Sequence, residues 1–330
     1  MKRNKPMFLT ALAFLALPAP LLAAEEEAAA TTAEVGAEHI QDYEPAPALW
    51  RLDDGDTTIY LLGTFHLMPE RFRWRNPQLD TILAEVDELV LESSDVDADA
   101  SQTFVDTKLI GLMESRTATS QLLSPASGSK WQRLIAALDL EFSLIDRLPL
   151  HMAMLHFGRA EEAVGSSSEE FGVETVLAAE FTASNRPIGS IEDNGQVLLS
   201  LYRIDDTQMV YELDQQLTYW NGRNPYEFLG LGADAIDTID WLALDNWARG
   251  LPQNIAMPVA LEGGKSMVQF DRALLDARNR RWVAWLDARL DRPGTILVAV
   301  GAAHFEGRNS VLELLEGRGL SATRINSPVE

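Results

Sequence analysis

TTIYLLGTFH at residues 57–66 and GTILVAVGAAH at residues 294–304 share one construction: an apolar run, then a glycine, then a histidine three residues later. Apolar runs of this length, bounded by turn residues, read as strands buried on both faces, as in a parallel sheet. Glycine where a strand leaves its sheet lets the backbone turn sharply or come close to a ligand. If the two strands are parallel neighbours, both imidazoles face the crevice beyond the carboxyl ends of the strands, where open α/β sheets bind ligands. The spacing alone is a weak signal, because five histidines and 21 glycines in 330 residues give roughly 0.3 such matches by chance. Three occur, and the third, Gly36 with His39, falls in a segment where no packed scaffold is expected to hold a ligand.

Outward from the first stretch, LWRLDD and TTIYLLG flank Asp54 and Gly55, a dipeptide that supplies positive φ at a tight turn, so residues 49–63 read as a β-hairpin. NPQLDTILAEVD repeats apolar residues at helical spacing after a proline suited to a helix start. ELVLESS follows as a short strand that ends at Glu92, and RPIGSIED, after the helix GVETVLAAEFTASN, is another that ends at Glu192. Residues 101–165 and 195–290 read mainly as helices, and the chain closes with a strand at 294–300, a helix at 308–317 and a terminal strand in SATRI. Strands alternating with helices predict an α/β or α+β domain with a central β-sheet flanked by helices.

At the amino end, Lys2, Arg3 and Lys5 precede an apolar run from Met7 to Ala24 and an acidic stretch beginning at Glu25, the layout of a secretory signal. The competing reading is an uncleaved membrane anchor; Pro18 and Pro20 near the end of the run favour cleavage at Ala23 or Ala24. With no cysteine there is no disulfide and no lipid attachment, so the expectation is an exported, soluble, periplasmic protein whose mature chain does not enter the membrane. Residues 25–47 read as a flexible leader, and residues 48–330 as the folded part, either one large domain or two packed halves. Removing residues 1–24 takes away three basic and no acidic residues, so the net charge goes from −23 to −26. Such a surface repels phosphate backbones, which argues against nucleic acid as a partner.

Glu92 and Glu192 end their strands at the place equivalent to the two histidine motifs. A carboxylate at the mouth of a buried strand is costly unless it is paired, hydrogen-bonded or bound to metal. Two imidazoles and one carboxylate make a usual ligand set for a catalytic divalent ion, with chemistry suited to amide or ester hydrolysis. Each residue has a plainer reading, the histidine as a satisfied core residue and the glutamate as a cap or ion-pair partner; together at four strand ends they favour a metal or acid–base site. His151 and His156 in PLHMAMLHFG read as core residues of an apolar helix. Arg278 and Asn279 lie in DARNRRWVAW, whose plain reading is a solvated face, with a guanidinium that could instead clamp a substrate carboxylate. EGGKS at 262–266 has Val259 where a P-loop needs its first glycine, and GLGADA at 230–235 lacks a third glycine, so neither reads as a phosphate loop.

In order along the chain, the hairpin and first histidine motif, ELVLESS, GVETVLAAEFTASNRPIGSIED, DARNRRWVAWL and ILVAVGAAHFEGRNSVLELLEGRGL resemble the landmarks of the TraB/GumN family. That family includes the PrgY-type pheromone-shutdown proteins and is similar to the Tiki proteases; the resemblance covers most of residues 48–326. It implies a fold related to the erythromycin-esterase (EreA) and ChaN-like group, with two pseudo-symmetric halves about a sheet. It also implies metal-dependent peptidase chemistry, carried over here to Gly63 with His66, Gly301 with His304, and Glu92. Arg278 and Asn279 match a further landmark with no assigned role. Gly172 to Glu174 reads Gly-Val-Glu where the family more often has Gly-Ile-Asp, and Ser310 stands where a glycine is usual. The expectation is thus an exported hydrolase acting on a peptide or protein. It would use a divalent ion (Mn, Co, Zn or Fe) on His66, His304 and Glu92, with Glu92 as third ligand or general base, Glu192 as a weaker nearby candidate, and Gly63 and Gly301 as the turn glycines. A non-catalytic peptide-sequestering protein is the runner-up, and a haem or iron carrier the third reading.

Overall fold

The computed structural model describes residues 39–93, 108–162, 167–228, 241–253 and 275–329. The signal segment, Gly36 and the stretches at 230–235 and 262–266 lie outside the described residues. Six strands form the main sheet: β1 (Leu49–Asp53), β2 (Thr57–Thr64), β4 (Glu88–Leu91), β6 (Ile188–Ser190), β7 (Gly294–Gly301) and β8 (Thr323–Arg324), in the order β6-β4-β7-β2-β1-β8. Two-residue strands β3 (Met68–Pro69) and β5 (Ser167–Ser168) pair separately. The architecture is mixed α/β with helices on both faces of the central sheet, as the alternation of elements predicts.

β2 and β7 pair in parallel from Thr57↔Gly294 to Thr64↔Gly301, and β7 is also parallel to β4, which in turn is parallel to β6. The inner strands are buried on both faces, so their sequences run apolar without alternation. Alternate residues nevertheless serve different layers. Leu62, Leu89, Leu91, Leu297 and Ala299 pack on helices α1 (Pro77–Glu85), α4 (Val173–Ala183) and α7 (Trp241–Ala248). Ile59, Leu61, Val90, Ile296, Val298 and Val300 pack on α8 (Ala277–Leu290) and α9 (Val311–Glu316). A further apolar core lies among helices only, including α2 (Pro125–Ala137), α3 (Leu150–Glu162), α5 (Asn194–Leu201) and α6 (Thr207–Tyr219). His151 belongs to it, buried with Nε2 2.9 Å from the Leu201 carbonyl, and burial pushes its pKa down to about 4.

Two expectations need correction. The β1–β2 hairpin forms, but Gly55 does not take the left-handed conformation; the Asp54 side chain closes the loop by accepting the N–H groups of Asp56 and Thr57 at 3.2 and 3.0 Å. Residues 39–47 are not loose. The His39 ring stacks 3.9 Å from Trp241 with Nε2 3.0 Å from Asp245, Tyr43 donates to the same carboxylate at 2.5 Å, and the Ala46 N–H reaches the Ala248 carbonyl at 2.6 Å. These are single contacts onto α7, three through side chains and one main chain to main chain, so no periodic pattern announces them.

Candidate functional site

The β2–β7 ladder fixes the two histidine motifs side by side. Thr64 pairs with Gly301 and Gly63 with Val300, so the strands release their motifs one register step apart at the same edge of the sheet. Each glycine makes room for another part of the centre. A Cβ on Gly63 would stand 3.0 Å from the Ala302 Cα, in the 3₁₀ turn Ala302–Phe305 that carries His304. A Cβ on Gly301 would stand 3.0 Å from Glu92 Oε1, 3.7 Å from His304 Cδ2 and 3.9 Å from His66 Nε2. The space over Gly301 is therefore where His66, His304 and Glu92 converge.

Glu92, one residue past β4, is buried, and its oxygens are engaged: Oε1 accepts the Gly301 N–H at 2.8 Å, and Oε2 accepts from Arg278. Burial alone would raise its pKa, but Arg278, His304 and His66 outweigh it and hold the carboxylate at about 2. Arg278 also grips Glu192, with Nε 2.9 and 3.1 Å from its two oxygens, while the Trp282 indole N–H donates to Glu192 at 2.9 Å. Burial raises the Glu192 pKa and the Glu92 charge adds to it, with Arg278 opposing. The solvated-face reading of Arg278 is corrected: the residue is 2% exposed, and its charge is spent on two glutamates rather than held out for a substrate carboxylate.

His304 is equally enclosed. Its ring packs 4.0 Å from Trp282, and Nδ1 lies 2.5 Å from Asn279 Oδ1, with the Asn279 amide donating to the Asn309 carbonyl at 2.8 Å. An amide oxygen is only an acceptor, so Nδ1 carries the proton and Nε2 presents its lone pair, 3.8 Å from Glu92 Oε1. Burial, reinforced by Arg278 and His66 against the pull of Glu92, pushes its pKa down to about 3. His66 is held differently. Nδ1 lies 2.8 Å from Glu174 Oε1, close enough for an ion pair though out of line for a straight hydrogen bond, and the Thr64 hydroxyl donates to the same oxygen. Burial works against charge on His66, yet Glu174 dominates and lifts its pKa to about 9.

Residues 48–324 match the TraB/PrgY/gumN family. The chain belongs to that family. It is also similar to two proteins named "Uncharacterized protein YbaP", from Escherichia coli (strain K12) and from Shigella flexneri; each is 24% identical over 269 residues, covering 79% of this chain and 89% of the relative. No solved structure matches the chain.

Within this TraB/PrgY/gumN chain, His66, His304, Glu92, Arg278, Asn279 and Glu192 form one connected centre. Glu174 was missed in the sequence as a site residue. In sequence Gly-Val-Glu is only a departure from the usual Gly-Ile-Asp, whereas its glutamate is in direct contact with His66. The available signal was its place in the first turn of a helix whose preceding residue is glycine. Ser310 is explained as well: it caps α9, its hydroxyl accepting the Glu313 N–H at 3.3 Å. As for a metal, no group of three or more His, Cys, Asp or Glu stands at ligand spacing among the described residues. The donor chemistry nonetheless fits a divalent ion once His66 gives up its proton: two Nε2 atoms and a carboxylate oxygen face one small space, with the Asn279 amide oxygen at His304 Nδ1 and the Glu174 carboxylate beside His66 Nδ1.

Proposed function

We propose that this chain is an exported, periplasmic hydrolase of peptide bonds, with a divalent ion held by His66, His304 and Glu92. The observation that carries the reading is the β2–β7 ladder, which delivers both imidazoles to Glu92 at the carboxyl edge of the sheet. An ion held there would act as a Lewis acid toward a peptide carbonyl. The chain's own groups divide the remaining work. Arg278 keeps Glu92 ionised and fixed, which suits a ligand better than a general base. Asn279 sets the His304 tautomer, and Trp282 shields that ring from water. Beside the same strand end, a cavity of about 330 Å³ walled by Trp50, Trp247 and Phe305 and edged by Gln253 and Arg324 suits an apolar substrate side chain.

The test is metal content by mass spectrometry after exposure to Mn, Co, Zn and Fe, for wild type, His66→Ala and His304→Ala, followed by a peptide-library cleavage screen. Near-stoichiometric metal and cleavage in wild type, both lost in the variants, are expected. A second reading, non-catalytic peptide sequestration, is favoured by the engagement of both Glu92 oxygens. Under it, wild type and variants bind peptide alike without cleavage or metal.

A further inference from the structure

We infer that Glu174, locked by Thr64, is the positioning residue for His66: it holds Nδ1 so that Nε2 faces Glu92 and Gly301. Four observations converge. Glu174 is 0% exposed although it sits in the first turn of a helix, where a glutamate ordinarily points to solvent. Its described contacts are His66 and Thr64, both on Oε1, while Oε2 has no hydrogen-bond partner. A buried carboxylate with one bare oxygen is a poor way to stabilise a fold, since half of its desolvation is uncompensated. Finally, α4 comes near enough only because residue 172 is glycine: a Cβ there would stand 2.0 Å from the His66 carbonyl oxygen. The Val173 N–H then reaches the Phe65 carbonyl at 3.1 Å, so the start of the helix and the end of the β2 motif are fastened main chain to main chain. The negative charge also lies at the favourable end of an 11-residue helix.

As a statement about metal affinity the inference rests on the proposed metal site; as a statement about the imidazole it does not. The experiment therefore has two arms, run on the full chain as wild type, Glu174→Leu, Glu174→Asp, Thr64→Val and the control Glu180→Gln, which lies on the same helix and pairs with Arg75 away from the centre. In the metal-free protein labelled with ¹⁵N-histidine, wild type and control should show a slowly exchanging His66 Nδ1 proton. Glu174→Leu should lose it, and Glu174→Asp, one methylene shorter, should retain it in part. In the second arm Zn²⁺ competes with a chelator, and Glu174→Leu should bind about 10–100-fold more weakly than wild type. An unchanged Nδ1 proton in Glu174→Leu overturns the inference. Wild type that binds no Zn²⁺ overturns the metal reading instead and leaves the first arm to decide Glu174. If Glu174→Leu does not fold, Thr64→Val, which keeps the side chain's shape and drops its hydroxyl, carries the same readouts: faster Nδ1 exchange supports the inference and wild-type exchange overturns it.

Discussion

Replacing Arg278 with leucine would leave Glu92 and Glu192 facing one another where almost no solvent enters. Breaking a buried ion cluster by removing one partner costs about 3–5 kcal/mol, so the urea midpoint should fall sharply in Arg278→Leu and less in Arg278→Lys, which keeps a charge but not the two-sided grip. The residue scale also sets the pH profile. His151 is buried with its pKa pushed down to about 4, through burial chiefly, with Asp206 pulling up and Arg116 down. The unfolded chain takes that proton near 6.5 and the native chain does not, so stability is lost as pH falls from about 6.5 toward 4. His66, raised to about 9 by Glu174 against its burial, has the opposite sign: its contribution is whole below about 6.5 and is lost as pH rises through 9. Urea midpoints from pH 4.5 to 9.5 should therefore peak near neutrality. His151→Leu should flatten the acid limb and Glu174→Gln the alkaline one.

Single elements are decided by their ends. Ser310 caps α9, so Ser310→Ala should cost about 1 kcal/mol while Ser310→Gly costs only a few tenths; thermal melts of the two variants check the order. Gly172→Ala is of another kind, because its methyl would strike the His66 main chain, and it should lower the melting temperature well beyond a cap's worth. Elements also show what can be read in advance. β2 and β7 were legible because strands buried on both faces write an unbroken apolar run, and α1 because Asn76 and Pro77 mark its start. The two-residue strands β3 and β5 are too short to leave a period. Glu174 was illegible as a site residue because a glutamate in a first helical turn is what helix electrostatics alone would place there, and only the approach of α4 to β2 gives it a histidine. Arg278 looked solvated because a stretch rich in arginine reads as surface until the two glutamates it meets, 186 and 86 residues away, are in place.

Over the whole molecule, 50 acidic residues stand against 27 basic ones, so the folded chain works against its own repulsion. Raising NaCl from roughly 20 to 200 mM should raise the melting temperature through screening, whereas a chain of balanced charge would respond little. The acidic excess says nothing about the centre, where Arg278 sits between Glu92 and Glu192 and His66 lies against Glu174, and that local balance was not visible in composition. The sheet order has a consequence for biosynthesis. β7 is among the last strands to be made, yet it lies between β4 and β2. A nascent chain that ends before residue 294 has both of those early strands with one hydrogen-bonding edge bare, and it lacks α9 from one of its apolar layers. It can neither assemble the His66–His304 pair nor hide those edges, so prematurely terminated products should be inert and prone to aggregate, and any chaperone serving this chain must hold it until its carboxyl terminus arrives.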